Sequence, residues 1–429
     1  MDNLTHSIIG FGAGELLHRS LPAEPEPARQ RVRHRLLLVA SALANNFPDL
    51  DLLLTHGLPP PLNYLLYHRG HTHTLLLALP QALLLAALLW LCWPSARALL
   101  KASGMARIGL AGSVLLGLGL HLLMDYTNSY GVHPFYPLDG RWVYGDMVFI
   151  VEPLFWVAIG VPMALIMRWR WLRIAGLAAL GLALLAFAAK GYLGWPSLAA
   201  LMVVALATGG MQWRADRQAP AATASAIAGR GRGGLLLALA ICLGFVALQG
   251  AASQLVRRQI SAALQRIDPA SQVLDVAMTA YPSQPLCWSY VSVERNEAAD
   301  RFRLRRGVAS VLPAWLSPQD CPRSLTEPGA VLAKADGAPS LLQSASIDAS
   351  LRQLRALQQD NCEVDAWLRF ARAPALADGR LGDFRFAATP RGNFTTLEIA
   401  TAGAETRQAG CPKVPAWGYP RADLLTPPA

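Results

Sequence analysis

The 429-residue chain is 53% hydrophobic and only 15% charged. A soluble domain carries roughly a quarter charged residues, so an ordinary soluble globular protein is excluded. The net charge of +10 fits a membrane protein with basic cytoplasmic loops. No basic stretch interleaved with aromatics points to nucleic-acid binding.

The first residues, Met1 to His6, lack the positive region of a signal peptide and are expected to remain in the mature protein. Two weaker apolar segments come first, at 4–18, which contains Glu15, and at 36–54, which ends in Asn45, Asn46, Phe47, Pro48, Asp49, Leu50 and Asp51. Six clearer ones follow at 74–93, 108–127, 148–167, 172–189, 195–212 and 234–253. Each of these six is close to the ~20 residues that span a bilayer. Arginine and lysine collect in 19–35, 94–107, 168–173 and 213–232. If those four connections are cytoplasmic, 55–72, 128–147 and 190–195 lie outside, and eight spans put both termini outside.

After residue 254 the long apolar runs stop. The expected fold is mainly α: a polytopic helical membrane domain over 1–254, then a small α+β extracytoplasmic domain over 255–429. Four of the six cysteines fall in the second part, Cys287, Cys321, Cys362 and Cys411, which predicts two disulfides with three pairings open. Alternation predicts strands at 289–294, 301–310 and 383–388, with a hairpin near 287–311. Cys92 and Cys242 are expected as inert packing residues. The Ala/Gly/Arg stretch 217–234 reads as a flexible cytoplasmic loop.

All nine histidines lie within the first 133 residues. With the topology above, His6, Asp49 and Asp51, His68, His71 and His73, and His121 with Asp125 all reach one membrane face. His121 and Asp125 are four residues apart in an apolar segment, so they share a helix face one turn apart. Ionisable groups inside a membrane are costly and point to function. Imidazoles with carboxylates make a mixed N/O site for Zn²⁺ or Mn²⁺. Asp125 can ligate, or it can orient an imidazole from behind. His68, His71 and His73 cannot share one helix face, so which of them ligates stays open. Arg69 can meet a phosphate or carboxylate, and Thr72 or Thr74 can cap the next helix. His133 is a weaker further ligand, and Glu152 is either a base or an anchor.

The motifs Asp2-x-x-Thr5-His6-x-x-x-Gly10, Pro48-Asp49-x-Asp51, His68-Arg69-Gly70-x-Thr72-His73 and His121-x-x-x-Asp125 resemble the YdjM-type bacterial membrane-bound metal-dependent hydrolases, over roughly the first 150 residues. That resemblance implies an inner-membrane hydrolase with a divalent metal. A more distant likeness is to the zinc-dependent phospholipase C and P1-type nuclease group. Its ligand order would map here to His6, Asp49, His68 or His73, His121 and Asp125. The second His-x-x-x-Asp pair of that group is missing after residue 125, which favours one or two metals over three.

Together these features imply a metal-assisted hydrolase at the outer face of the bacterial inner membrane, with a periplasmic C-terminal domain. The metal ligands would come from His6, Asp49, His68, His73, His121 and Asp125. Arg69 and Asp51 would serve catalysis. A phosphoester of a lipid or lipid-linked molecule would be the substrate. The rival is a non-enzymatic transporter or envelope scaffold. The one-sided placement of the ligand residues argues against a conduction path.

Overall fold

The computed structural model describes residues 1–427 except 54, 56, 218–231, 327–330, 336–337, 391, 400–410 and 412. His56 and most of the expected loop 217–234 lie outside the described residues. The helices before the first strand are α1 (Asn3–Ser20), α2 (Pro27–Ala44), α3 (Leu62–Tyr67), α4 (Leu75–Cys92), α5 (Pro94–Ala102), α6 (Gly104–Tyr126), α7 (Pro153–Ile166), α8 (Arg170–Ala189), α9 (Trp195–Arg217) and α10 (Arg232–Ile267). The chain divides into two compact units. The first comprises 1–50, 72–128 and 149–247; the second comprises 51–71, 129–148 and 248–429.

In the first unit, glycines set how closely the helices pack. Gly10 and Gly14 lie one turn apart on α1. A Cβ on Gly10 would sit 2.7 Å from the Cα of Ala42, and one on Gly14 would sit 2.6 Å from the carbonyl of Leu37, both on α2. On α6, a Cβ at Gly117 would come within 2.6 Å of the Cβ of Ala44 and 2.8 Å of the Ser41 carbonyl. Small residues therefore bring the backbones of α1, α2 and α6 into contact, the usual device inside membranes. Leu36, Ala40, Leu85, Leu99, Val114 and Leu118 fill the core between α2, α4, α5 and α6.

The chain is a multi-pass membrane protein. Of the eight expected spans, α4, α6, α8, α9 and α10 are long and apolar enough to cross a bilayer by themselves. The helix α2 and the 3₁₀ helix Phe47–Leu53, bent by 49°, reach that length and hydropathy only when taken together, and α1, over the segment expected at 4–18, does not reach it. Pro48 explains the break, because it has no N–H to bond the carbonyl four residues back, that of Ala44 at the end of α2, and its ring clashes with that carbonyl. The apolar helix α7 is shorter, at 14 residues. On α4, Leu76, Leu79 and Leu83 are each at least 60% exposed, a surface suited to lipid and not to water.

The second unit is built on an antiparallel sheet of β1 (Gln272–Tyr281), β2 (Gln284–Asn296), β3 (Arg301–Ser310), β4 (Ala333–Ala335) and β5 (Ala338–Ser350), in the order β1-β2-β3-β5-β4. The expected hairpin is β2–β3, with Cys287 opposite Ser310 and Asn296 opposite Arg301. Side chains on β2 alternate between two cores. Trp288 and Tyr290 pack with Val256 and Ile260 from the end of α10. Val291 and Val293 face the other way, into a core with Leu351, Leu354 and Trp367. Packing on both faces explains why β2 is buried without a break from Cys287 to Glu294.

The second core also holds α11 (Leu351–Asp360), α12 (Cys362–Leu368) and a small sheet of β6 (Pro374–Ala377), β7 (Arg380–Asp383) and β8 (Leu397–Glu398). The strand expected at 383–388 is in fact a turn after β7, where Asp383 turns back to accept from Arg385. Leu62, Leu65, Leu66, Tyr130 and Trp142 join this core, so the segments 51–71 and 129–148 fold with the C-terminal part. Disulfides join Cys287 to Cys321 and Cys362 to Cys411. Cys242 is buried as expected, whereas Cys92 is exposed at the end of α4.

Candidate metal centre

In the first unit, the start of α1, the end of α2, the start of α4 and the end of α6 meet at one end of the helix group. Asp2 caps α1 by accepting from the backbone N–H of Thr5 at 3.0 Å, which fixes the first turn and His6 on it. Asn45 ends α2 and is fully buried. Its side-chain amide donates to the carbonyl of His6 at 2.6 Å. Its own carbonyl lies 2.8 Å from Nδ1 of His121. A carbonyl only accepts, so Nδ1 of His121 carries the proton and its Nε2 presents a lone pair. This is the outer-shell contact that sets the tautomer of a metal-binding histidine. On the other side, Nδ1 of His73 pairs with the hydroxyl of Thr72 at 3.0 Å. Thr74 then caps α4, accepting from Leu77 at 3.1 Å.

Four ligand-type atoms converge. Nε2 of His121 and Nε2 of His73 are 3.0 Å apart. Oδ1 of Asp49 lies 3.4 Å from Nε2 of His73 and 3.6 Å from Nε2 of His121. Oδ2 of Asp125 lies 3.2 Å and 3.5 Å from the same two nitrogens. A small divalent ion with bonds of about 2.0–2.2 Å holds neighbouring donors about 2.8–3.6 Å apart in tetrahedral or octahedral geometry. The spacing therefore fits such an ion. Burial points the same way, since Asp49 is 7% exposed and Asp125 not at all. Two carboxylates in so dry a place need positive charge to offset their desolvation, of which the amino group of Met1 against Asp125 supplies part. Asp49, His73, His121 and Asp125 thus form a buried group able to hold a metal ion.

His6 flanks this group. Its ring stacks on His121 with centroids 4.1 Å apart, and its Nε2 is 3.4 Å from Oδ1 of Asp125. The amino group of Met1 contacts the same oxygen. Asp125 therefore turns one oxygen to His73 and His121 and the other to His6 and Met1. Glu152 is the N-cap of α7, accepting from Leu154 at 3.0 Å.

The other expected site residues lie in the second unit. Nδ1 of His68 is 3.0 Å from Oδ1 of Asp51, and the backbone N–H of Arg69 donates to the other oxygen at 3.0 Å. Arg69 has a positive φ of 58°, and its guanidinium lies 4.8 Å over the ring of Tyr130. Gly70 follows because a Cβ there would meet the carbonyl of Tyr67 at 2.8 Å. Burial pushes the Tyr130 hydroxyl pKa well above its usual value, reinforced by Tyr64 and against the pull of Arg69. His133, weighed as a further ligand, lies between the rings of Trp142 and Trp417, with centroids at 3.8 and 4.1 Å. His71 also packs on Trp417.

The position missed in the sequence is Asn45, whose side chain and carbonyl tie His6 to His121. Its only signal was a polar residue ending an apolar helix.

The chain is 25% identical over 158 residues to the uncharacterized protein YfhP of Bacillus subtilis (strain 168). That match covers 37% of this chain and 44% of the relative, so less than half of the relative's length is spanned. No solved structure matches the chain. Residues 1–196, which carry every residue of the centre, match the family model described as YdjM inner membrane protein, so the N-terminal part of the chain is YdjM-like.

Proposed function

We propose that this protein is a membrane-bound metal-dependent hydrolase with zinc as its ion and manganese as the alternative. The spacing of Asp49, His73, His121 and Asp125 is the observation that carries this function. An ion held there supplies Lewis acidity toward a scissile group and a water. The chain's own part is to present the ligands already oriented. The Asn45 carbonyl holds His121 in one tautomer, Thr72 holds His73, and the stacked ring of His6 limits movement of His121.

In the second unit, Asp51 is a positioning residue that holds His68 and the backbone of Arg69. Arg69 is assigned the positive charge that meets an anionic group of the substrate. The proposed substrate is a phosphoester of a lipid or lipid-linked molecule at the outer face of the bacterial inner membrane, with the C-terminal part periplasmic. Ligand-type residues at helix ends support that substrate class, as does the arginine in the motif His68-Arg69-Gly70.

The test is elemental analysis of detergent-purified full-length protein, wild type beside His121→Ala/Asp125→Ala, followed by a panel of lipid phosphoesters. Near-stoichiometric metal that disappears in the folded double variant, with cleavage that falls in Arg69→Ala, is expected. Wild type that holds no metal above background after zinc or manganese is added back would refute the assignment and leave the cluster a structural role. Metal-loaded protein that cleaves amides and no phosphoester would overturn the substrate class alone.

A further inference from the structure

Away from the metal centre, the first unit contains a cavity of about 610 Å³. This is within the ~300–1,000 Å³ usual for ligand sites. Trp156, Gly160 and Ala164 of α7 form its floor. One wall is the stripe Leu4, Ile8, Phe11 and Glu15 of α1, with Leu38 of α2; the other is Gly176, Ala179 and Ala183 of α8. The small residues keep it open, since a Cβ on Gly160 would meet nothing within 4 Å and one on Gly176 only Ala164 at 3.8 Å. Glycine and alanine between membrane helices usually admit another backbone; here they border space. From Leu4 to Glu15 the helix rises about 16 Å, roughly half the hydrocarbon thickness and so the depth of one lipid leaflet.

Polar lining occurs only at one end of the cavity, as Glu15, His34 and Arg168. Glu15 is 2% exposed and is already paired with Arg19 and His34. Arg168 therefore leaves that end with an excess of positive charge. The sequence around it is Arg168, Trp169, Arg170, Trp171, and both tryptophans are more than half exposed. Exposed tryptophan alternating with arginine marks headgroup depth at a membrane surface. The apolar length of the cavity thus ends where a lipid headgroup would lie, and the charge there suits a phosphate.

We propose that this cavity binds one acyl chain of an anionic glycerophospholipid, with the headgroup phosphate at Arg168 and Arg170. The site is independent of the chemistry at the metal centre. Its occupant comes from the bilayer and not from free phosphate, because the walls are apolar over one leaflet's depth.

Native mass spectrometry of the full-length protein tests this, using an equimolar mixture of phosphatidylglycerol and phosphatidylcholine with identical chains. Wild type is expected to retain one phosphatidylglycerol, in clear preference to phosphatidylcholine and undisturbed by inorganic phosphate. Arg168→Gln/Arg170→Gln should lower that preference by about thirty-fold, from the roughly five-fold expected for each basic residue lost near a lipid surface. Gly160→Leu/Ala179→Leu, which fills the cavity, should lose both lipids while keeping the wild-type melting temperature. Equal retention of the two lipids by wild type, an unchanged preference in the arginine variant, or full retention in the folded filled variant would each overturn the proposal. If the filled variant does not fold, the exposed arginine pair decides alone.

Discussion

Gly117→Ala separates the role of helix approach from that of the ligands themselves. The added methyl would start 2.6 Å from the Cβ of Ala44 and 2.8 Å from the Ser41 carbonyl. Ordinary carbon contacts are about 3.5–4.0 Å, so α6 must move from α2 by about 1 Å. His121 lies one turn further along α6, and Asn45 follows Ala44. Their hydrogen bond, now 2.8 Å, would stretch to about 3.8 Å, beyond hydrogen-bond range. Loss of such an outer contact weakens metal binding by about 10–100-fold. Overpacking should also lower stability by about 1–3 kcal/mol.

The control is Gly119→Ala on the same helix, where a Cβ would meet nothing within 4 Å and alanine favours the helix. Zinc affinity of the detergent-solubilised protein, read by competition with a chromophoric chelator, is the assay. Gly117→Ala should bind about 10–100-fold more weakly, with Gly119→Ala at the wild-type value. A folded Gly117→Ala protein with wild-type affinity would refute the link between helix approach and the Asn45–His121 contact.

The second unit offers two further checks. Arg372 is fully enclosed and grips two carboxylates, Asp146 at 2.9 Å through both terminal nitrogens and Asp275 at 2.7 and 3.2 Å. Arg372→Ala removes the doubly bonded partner of both acids but leaves Asp146 with Arg257 at 2.6 Å and Asp275 with Arg421 at 3.5 Å, so it should cost less in denaturant melts than the about 3–5 kcal/mol of a fully stranded buried charge, whereas the exposed Arg141→Ala should produce no measurable change. Acid should unfold the same unit. Burial pushes the Asp275 carboxyl up, but Arg372 and then Arg421 and Arg257 outweigh it and hold it well below the usual value. Hydrogen bonds from Arg352 and Ser350 hold Asp300 at about 2. With folded values depressed, the stabilisation is complete above roughly pH 4, the ordinary carboxyl range, and is lost as pH falls toward about 2. Tryptophan fluorescence followed from pH 6 to pH 2 should show that loss, and equal stability at both ends would contradict it.

Much of the centre was legible before any coordinates. His121 and Asp125 share a face because helical periodicity requires it, and both do reach the same group. Asp49 was marked by a carboxylate at the end of an apolar run next to Pro48. The multi-pass character followed from run length alone, and the β2–β3 hairpin from alternation. In the first unit, His73 meets Asp49, His121 and Asp125, a choice the spacing of His68, His71 and His73 had left open. The pairing of Cys287 with Cys321 and of Cys362 with Cys411 was open in the same way.

The sequence by itself determined which side chains share a helix or strand face and which stretches prefer lipid, because those properties depend on residue spacing and local burial cost. Only the tertiary structure decided which faces meet. Gly10, Gly14 and Gly117 look alike in the sequence to Gly119 and Gly160, yet only the first three are pressed against another backbone. That close approach places the Asn45 carbonyl against His121 and so fixes the direction in which its imidazole points. Such contacts join residues as far apart as 45 and 121, and no local pattern encodes them.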